Sequence, residues 1–550
     1  MKLQTSLLSV FFLVAPLIQA SWWDENPSSD TWAQAREDLG NQLREKMRRE
    51  GTAALKPSSP AEQEFRTWQW LGEWASLQGQ SAREFADLGK NPELVRAYLE
   101  NITPEDRRTE ALRILTQMQA NAPQEVKDLP CLAVALSLVF DQPFPKKWPH
   151  SQVPPSAVPK EGVDPVTRLK QMAQLQSKRR YAFDLQDLAV SELKFLVDHP
   201  LPESEMEWAR KNVTTSRSSF EKVFPSIRYD FARLQAGVMT WPYSTYQLAD
   251  IKEKGGICVD QGYFAAMAGK ARGLPTLFFT GQGDSGGHAW FGYLDAPGRW
   301  VTDCGKYAQE NYPVGNALDP QTWKPITDTE LTFLAKGRER SEGYRQAKLW
   351  TDYALAMGPE EGRGFLEAAL GLQPEFLPAW MAKAGWLGQG GDPQAKEEFW
   401  NSFVKRFARY PDLKVLGQEK LLELAKAKGD TPLAKNLERQ ILVQNRTKRF
   451  DLSIGATASQ VGEKIEAGDW AGAETAYRQA LREFKGQSGG HLFYGLVAPF
   501  VEAALAEGQG KAAKNALQEA KRVLKAGKDT LVGQALVELE AQVKTSQPSG

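Results

Sequence analysis

Glycine–aspartate pairs punctuate the C-terminal part of the chain at a nearly constant spacing. Gly391-Asp392, Gly429-Asp430 and Gly468-Asp469 recur at intervals of 38 and 39 residues. Gly508 falls 40 further on, and Gly358 lies 33 before the first. Glycine ends a helix by taking up a left-handed backbone, and aspartate caps the next by accepting from its free N–H groups. After each such turn an apolar pattern of helical period restarts. A pattern of this kind commits residues 340–548 to stacked helices of solenoid type, with a generic helical bundle as the alternative.

The clearest unit is Ala467-Gly468-Asp469-Trp470-Ala471-Gly472-Ala473, followed by Ala476-Tyr477 and Ala480-Leu481. It resembles the second helix of a tetratricopeptide repeat, although the period exceeds the usual length of about 34 residues. Residues 21–164 also read as helical. Trp32, Ala35, Leu39, Leu43 and Met47 line one face of a stretch that Gly51 ends. Prolines at 143, 145, 149, 154, 155 and 159 then exclude a helix and mark a linker or an irregular crossing. Residues 165–335 mix helical periods, short alternating stretches and glycine-rich turns, which is α+β in character. The expected whole is a multidomain α+β protein flanked by all-α regions.

Residues 1–20 carry Lys2, an apolar Leu7–Ile18 core and a small Ala20 before Ser21. This is the pattern of a cleavable signal peptide, so a secreted or periplasmic location is expected. Leu132 to Phe140 is apolar but too short to span a bilayer, so no stable membrane span is expected once the signal is removed.

The 550 residues include 68 basic and 68 acidic side chains, a formal balance of zero. That argues against a nucleic-acid partner bound by bulk phosphate attraction. Three cysteines and four histidines exclude a disulfide scaffold, and no pair has zinc-ligand spacing, so no metal or other cofactor is expected. Thiol chemistry must therefore draw on Cys131, Cys258 or Cys304, with His150, His199, His288 or His491. His150, His199 and His491 read as ordinary surface or packed histidines. Cys131 and Cys304 read as packed free thiols, with pairing of Cys304 to Cys131 or Cys258 as the alternative. The tryptophans mostly fall at helical spacing, so core packing explains them better than carbohydrate binding.

Gly255-Gly256-Ile257-Cys258-Val259-Asp260-Gln261 ends one segment and begins a helix, which puts the Cys258 thiol in its first turn. Unpaired N–H groups and the helix dipole there favour a thiolate. The flanking Gly-Gly and Asp-Gln make a buried, inert cysteine the lesser alternative. His288 to Leu294 alternates as a strand, and Arg299 to Asp303 reads as its hairpin partner. A four-residue loop at 295–298 would pair Leu294 with Arg299 and put Asp303 opposite Trp290. His288 and Asp303 would then be diagonal neighbours on one face, at about 7–8 Å. A register slip of one residue would part them.

Cysteine at a helix start after Gly-Gly, then His288-Ala289-Trp290 on a strand, then Trp300-Val301-Thr302-Asp303 on the next, resembles the transglutaminase-like superfamily of papain-like thiol enzymes. Arg272-Gly273-Leu274-Pro275-Thr276 adds to the likeness, which covers about 195–320. The resemblance implies a thioester on Cys258, with His288 as base and then acid, and Asp303 orienting it. It also implies an oxyanion hole using the Cys258 N–H and an upstream side chain, for which Tyr246 and Trp241 are candidates. The alternative for those two is a core aromatic role. Trp290 is a further candidate for the rim. The chain departs from the family pattern in the glycine-rich 280–287 loop, expected as a mobile rim, and in Cys304 next to Asp303. Gly283-Asp284-Ser285-Gly286-Gly287 looks like a chymotrypsin-type serine motif but lacks the upstream histidine context.

The function expected is hydrolysis or acyl transfer at amide bonds of a peptide or protein substrate. The alternative is a binding or assembly protein that holds a protein partner on its helical repeats, with little or no turnover.

Overall fold

The computed structural model describes residues 29–76, 82–159, 162–335, 341–390, 392–486, 489–527 and 530–545. The signal-like segment and Gly391 lie outside the described residues. The chain is mostly helical, 67%, with one small five-stranded antiparallel sheet among the described residues.

Among the described residues, seven α-helices come first: α1 (Ser29–Glu50), α2 (Pro60–Glu73), α3 (Ala82–Gly89), α4 (Pro92–Asn101), α5 (Arg108–Asn121), α6 (Pro123–Asp128) and α7 (Pro130–Val139). Several begin with proline at the first position, where its missing N–H costs nothing. The proline-rich segment after α7 is an irregular crossing that packs inward. Trp148, Val153, Ala157 and Val158 are buried, and the Gln152 and Ala157 carbonyls accept from Trp241 and Tyr246 N–H groups.

Next come α8 (Pro165–Ser177), α9 (Val190–Val197), α10 (Glu203–Asn212), α11 (Phe231–Gln235), α12 (Leu248–Lys254) and α13 (Cys258–Ala271). The sheet follows: β1 (Thr276–Gln282), β2 (Gly287–Ala296), β3 (Arg299–Cys304), β4 (Asn316–Leu318) and β5 (Pro325–Thr327), in the order β3-β2-β1-β4-β5. Helix α13 lies against β1 and β2. One hydrophobic core runs from Trp32 through Leu331, so the first helices and the sheet layer share an interior.

The remaining helices are α14 (Asp328–Leu334), α15 (Glu342–Leu372, broken at Gly358-Pro359), α16 (Leu377–Gly388), α17 (Pro393–Arg406), α18 (Pro411–Lys428), α19 (Thr431–Asn445), α20 (Phe450–Glu466), α21 (Trp470–Glu483), α22 (Gly489–Leu492), α23 (Ala498–Ala506), α24 (Gly510–Leu524) and α25 (Leu531–Thr545). From α15 to α21 each helix packs on the next. Gly429 and Gly468 are left-handed at their turns, with φ of 72° and 73°. Asp392, Asp430 and Asp469 accept from N–H groups of the helices that follow them. The Gly-Asp spacing therefore marks helix–turn–helix junctions. Gly489–Ala506 is continuous and apolar enough to cross a membrane by length and composition, but Leu492, Phe493, Leu496, Val497, Phe500, Val501 and Ala504 are buried in the C-terminal core.

Candidate active site

Cys258 is the first residue of α13. Gly255 precedes it with φ of 82°, and a Cβ there would lie 2.5 Å from the Arg228 carbonyl oxygen. The Gly256 N–H donates to that carbonyl, and its own carbonyl accepts from Asp230. This short parallel pairing sets Tyr229 beside the nucleophile turn. Asp260 closes the turn by accepting from the Ile257 N–H at 2.8 Å. Its carboxylate is fully buried, paired with Arg233 at 2.6 Å, and also accepts from the Tyr246 hydroxyl at 2.9 Å. Arg233 spends its other donors on the Val238 and Met239 carbonyls. Gln261 is also buried and donates to the Ile227 carbonyl. The Asp-Gln pair after Cys258 therefore marks an internal polar network rather than exposure. Buried charge is tolerated because each group is paired.

Around the sulfur, the N–H groups of Ala289, Val259 and Cys258 itself favour the thiolate, as a helix start should. Burial opposes them and is the larger effect. With help from the Asp260 charge it pushes the thiol up to about 11. At rest Cys258 is a partly exposed, protonated thiol. Tyr229 packs with it against Ile257, Val259 and Ala289, close enough to feel its charge. Tyr307 and Tyr312 lie close enough that its charge would raise their proton affinities.

His288 pairs with Gly281 across the β1–β2 hairpin and is 6% exposed. Its ring stacks on Tyr307 at 4.0 Å and lies 5.4 Å from Tyr312 and 5.9 Å from Trp290. Nε2 lies 2.7 Å from the Gly305 carbonyl. A carbonyl only accepts, so Nε2 carries the proton and Nδ1 keeps the lone pair of the neutral ring. Burial lowers the proton affinity of His288, against the pull of the Gly305 carbonyl and of Glu310. Histidine and cysteine thus share Ala289, Tyr307 and Tyr312 as neighbours, but among the described residues no hydrogen bond joins them.

Asp303 is not where the expected hairpin would put it. The turn is Pro297-Gly298, with Ala296 opposite Arg299, and β2 continues through Asp295. Irregularities in the ladder then put Tyr293 opposite Val301 and Phe291 opposite Cys304. Asp303 falls beside Gly292, two residues further along β2 from His288 than a four-residue loop would place it. Its side chain is exposed, and the Gly305 carbonyl holds the imidazole instead. Gly305 turns its carbonyl inward from a left-handed φ of 101°.

All three aromatic candidates are buried, which for Trp241 and Tyr246 is the core aromatic alternative. Trp241 is buried and donates to the Thr245 carbonyl, and Tyr246 is fully buried between Asp260 and His150. Neither hydroxyl nor indole is free to meet a substrate. Trp290 is buried under the imidazole and donates to the Thr302 carbonyl, so it is a floor and not a rim. Cys131, Cys258 and Cys304 form no disulfide with one another, and no metal-binding cluster occurs among the described residues.

A groove of ≈ 980 Å³ opens next to this region, lined by Cys304 and Gly305 but by neither Cys258 nor His288. Phe224, Tyr229, Phe231, Leu234, Tyr293 and Tyr307 line it, with Glu221, Asp303 and Lys306 at its edges. Phe231 is 65% exposed. Sequence reading missed Tyr229, Tyr307 and Gly305. The glycine one step after the β3 strand was the available hint. No family model, curated protein or solved structure matches the chain.

Proposed function

We propose that this protein is a thiol enzyme of transglutaminase-like type that acts on amide bonds of a peptide or protein through Cys258 and His288. The observation that carries the reading is the fixed tautomer of His288 beside a helix-start cysteine. Nε2–H is committed to Gly305, so Nδ1 is the basic atom. The Cys258 proton passes to Nδ1 as the sulfur attacks the carbonyl carbon. N–H groups of the first helical turn stabilise the oxyanion. The Tyr229 hydroxyl donates to Tyr307, which leaves the Tyr307 hydroxyl as a further donor. The C–N bond then breaks, Nδ1–H protonates the leaving amine, and a thioester remains on Cys258. Water yields an acid, or an amine yields a new amide. Either gives its proton to Nδ1, and the thiol is restored.

The apolar, aromatic groove supplies the substrate contact, with the acyl chain lying along Tyr229 and Phe231. The papain-like core and a tetratricopeptide-type array belong to this same reading. Export from the cytoplasm is part of it too, on the strength of residues 1–20 alone.

A second reading keeps one observation in its favour. A thiol held at about 11 suits a scaffold with little turnover, its helices holding a protein partner. Acylation separates the two. Wild type and Cys258→Ala would be mixed with p-nitrophenyl acetate, and with a peptide library with and without an amine. The enzyme reading expects acetyl-Cys258 and peptide cleavage or amine incorporation, all lost in Cys258→Ala and in His288→Ala. Acetylation spread equally over the three cysteines, with no peptide product, would establish the scaffold.

A further inference from the structure

The glycine-rich turn between β1 and β2 is not an open rim. Gln282 pairs with Gly287, and the Gly283 N–H donates to the Gly286 carbonyl at 2.8 Å, closing a four-residue turn. The C-terminal helices then seat on it. The Gly490 N–H donates to the Gly283 carbonyl at 3.2 Å, and His491 donates to the Gln282 carbonyl. A Cβ on Gly489 would lie 2.8 Å from the Asp284 carbonyl oxygen. One on Gly490 would lie 2.8 Å from that of Gly283, and one on Gly286 2.8 Å from Leu531 Cβ. Glycine faces glycine because two backbones approach too closely for any side chain.

The far side of the same turn touches the site. The Ser285 N–H donates to Glu310 at 3.1 Å, and Glu310 is the carboxylate whose charge raises the proton affinity of His288. A Cβ on Gly283 would lie 2.8 Å from the Tyr312 ring, and Tyr312 stands against the imidazole. Two residues after Gly286 the chain reaches His288 itself.

We infer that the Gly489-Gly490 start of α22 is a positioning element of the catalytic centre. It clamps the 283–286 turn, and through Ser285–Glu310 and Gly283–Tyr312 it sets the place and proton affinity of His288. This rests on the proposed role of His288 as the base. The C-terminal helices are then part of the active site's support. The titratable groups facing His288 are Tyr307, Glu310 and Tyr312 from the segment after β3, and Cys258 from α13 shares Tyr307 and Tyr312 with it as neighbours. Lys306 is held over Trp290 and paired with Asp328.

The test uses the full chain and the pH dependence of Cys258 acetylation by p-nitrophenyl acetate. Gly490→Val and Gly489→Ala intrude on the turn. Gly462→Ala, in α20 with open space at its Cβ, is the control. His491→Ala and His491→Gln form a second pair, the glutamine restoring a donor to the Gln282 carbonyl. The clamp predicts a tenfold or greater loss of acetylation rate in Gly490→Val. It also predicts a shift of the acid limb to lower pH as Glu310 leaves His288. Circular dichroism should be unchanged in Gly490→Val, and the glutamine should rescue what the alanine loses. If Gly490→Val unfolds, the His491 pair decides the matter alone. Rates and acid limbs equal to Gly462→Ala in every folded variant would overturn the clamp while leaving the thiol chemistry standing. A wild type in which Cys258 is never acetylated would overturn the parent reading instead.

Discussion

Burial and the helix N-terminus act on Cys258 in opposite directions, and burial is the stronger. The same burial lowers the proton affinity of His288 below 6.5. At neutral pH the pair is therefore thiol and imidazole, not thiolate and imidazolium. The pH consequences follow by sign. His288 serves as base only when unprotonated, and its lowered pKa keeps it so down to a pH below 6.5. The acid limb of Cys258 acetylation by p-nitrophenyl acetate should therefore have its midpoint below 6.5, the value of a free imidazole. Iodoacetamide, which tracks free thiolate, should label Cys258 slowly near neutral pH and faster as pH rises toward about 11. Fast alkylation already in mild acid would mean a preformed ion pair. Asp303 gives a separate check. Removing an orienting carboxylate from a serine triad costs about 10⁴ in rate. Here the Gly305 carbonyl does the orienting and Asp303 is exposed, so Asp303→Asn should keep the acetylation rate near that of wild type. A loss on the triad scale would show that Asp303 swings onto the imidazole in turnover.

The helix that carries the nucleophile is held by one buried polar knot. Asp260 joins the Ile257 N–H, Arg233 and the Tyr246 hydroxyl, and Arg233 ties in the carbonyls of 238 and 239. Removing one partner of a buried pair leaves a charge without compensation, at a cost of about 3–5 kcal/mol. Arg233→Ala should lose stability on that scale by urea unfolding. A loss no larger than that of Arg179→Ala, at an exposed turn, would deny the knot its role. The start of this helix was legible because its causes are local. Gly255 needs a positive φ, and Asp260 sits three residues from the N–H it accepts. The Gly-Asp turns were legible for the same reason. The β2–β3 register was not, since a two-residue turn and two ladder irregularities override simple counting. Tyr229 and the Gly305 carbonyl escaped because each reaches the site through backbone pairing or a strand exit that no side-chain pattern encodes.

At the scale of the whole chain, the boundary at 335–341 does not separate independent units. Leu39, Leu43, Met47 and Phe65 from the first two helices form a core with Ala347, Tyr353, Phe365 and Leu366 from α15. Arg66, almost fully buried, pairs with Asp352 at 2.9 Å, and the Trp350 indole donates to the Leu55 carbonyl at 3.0 Å. Burying one large apolar side chain is worth about 1.5–3 kcal/mol. Four of them amount to roughly 6–12 kcal/mol, comparable to the whole stability of a domain at about 5–15 kcal/mol. A fragment of residues 29–335 would expose that stripe and leave Arg66 without Asp352. A fragment of 29–388 would keep both. Expressed side by side, the shorter fragment should aggregate or unfold without a cooperative transition. The longer one should stay soluble and melt cooperatively. Equal solubility and equal melting temperature for the two would mean that α15 and α16 merely lean on the N-terminal helices, and that the molecule divides where its sheet layer ends.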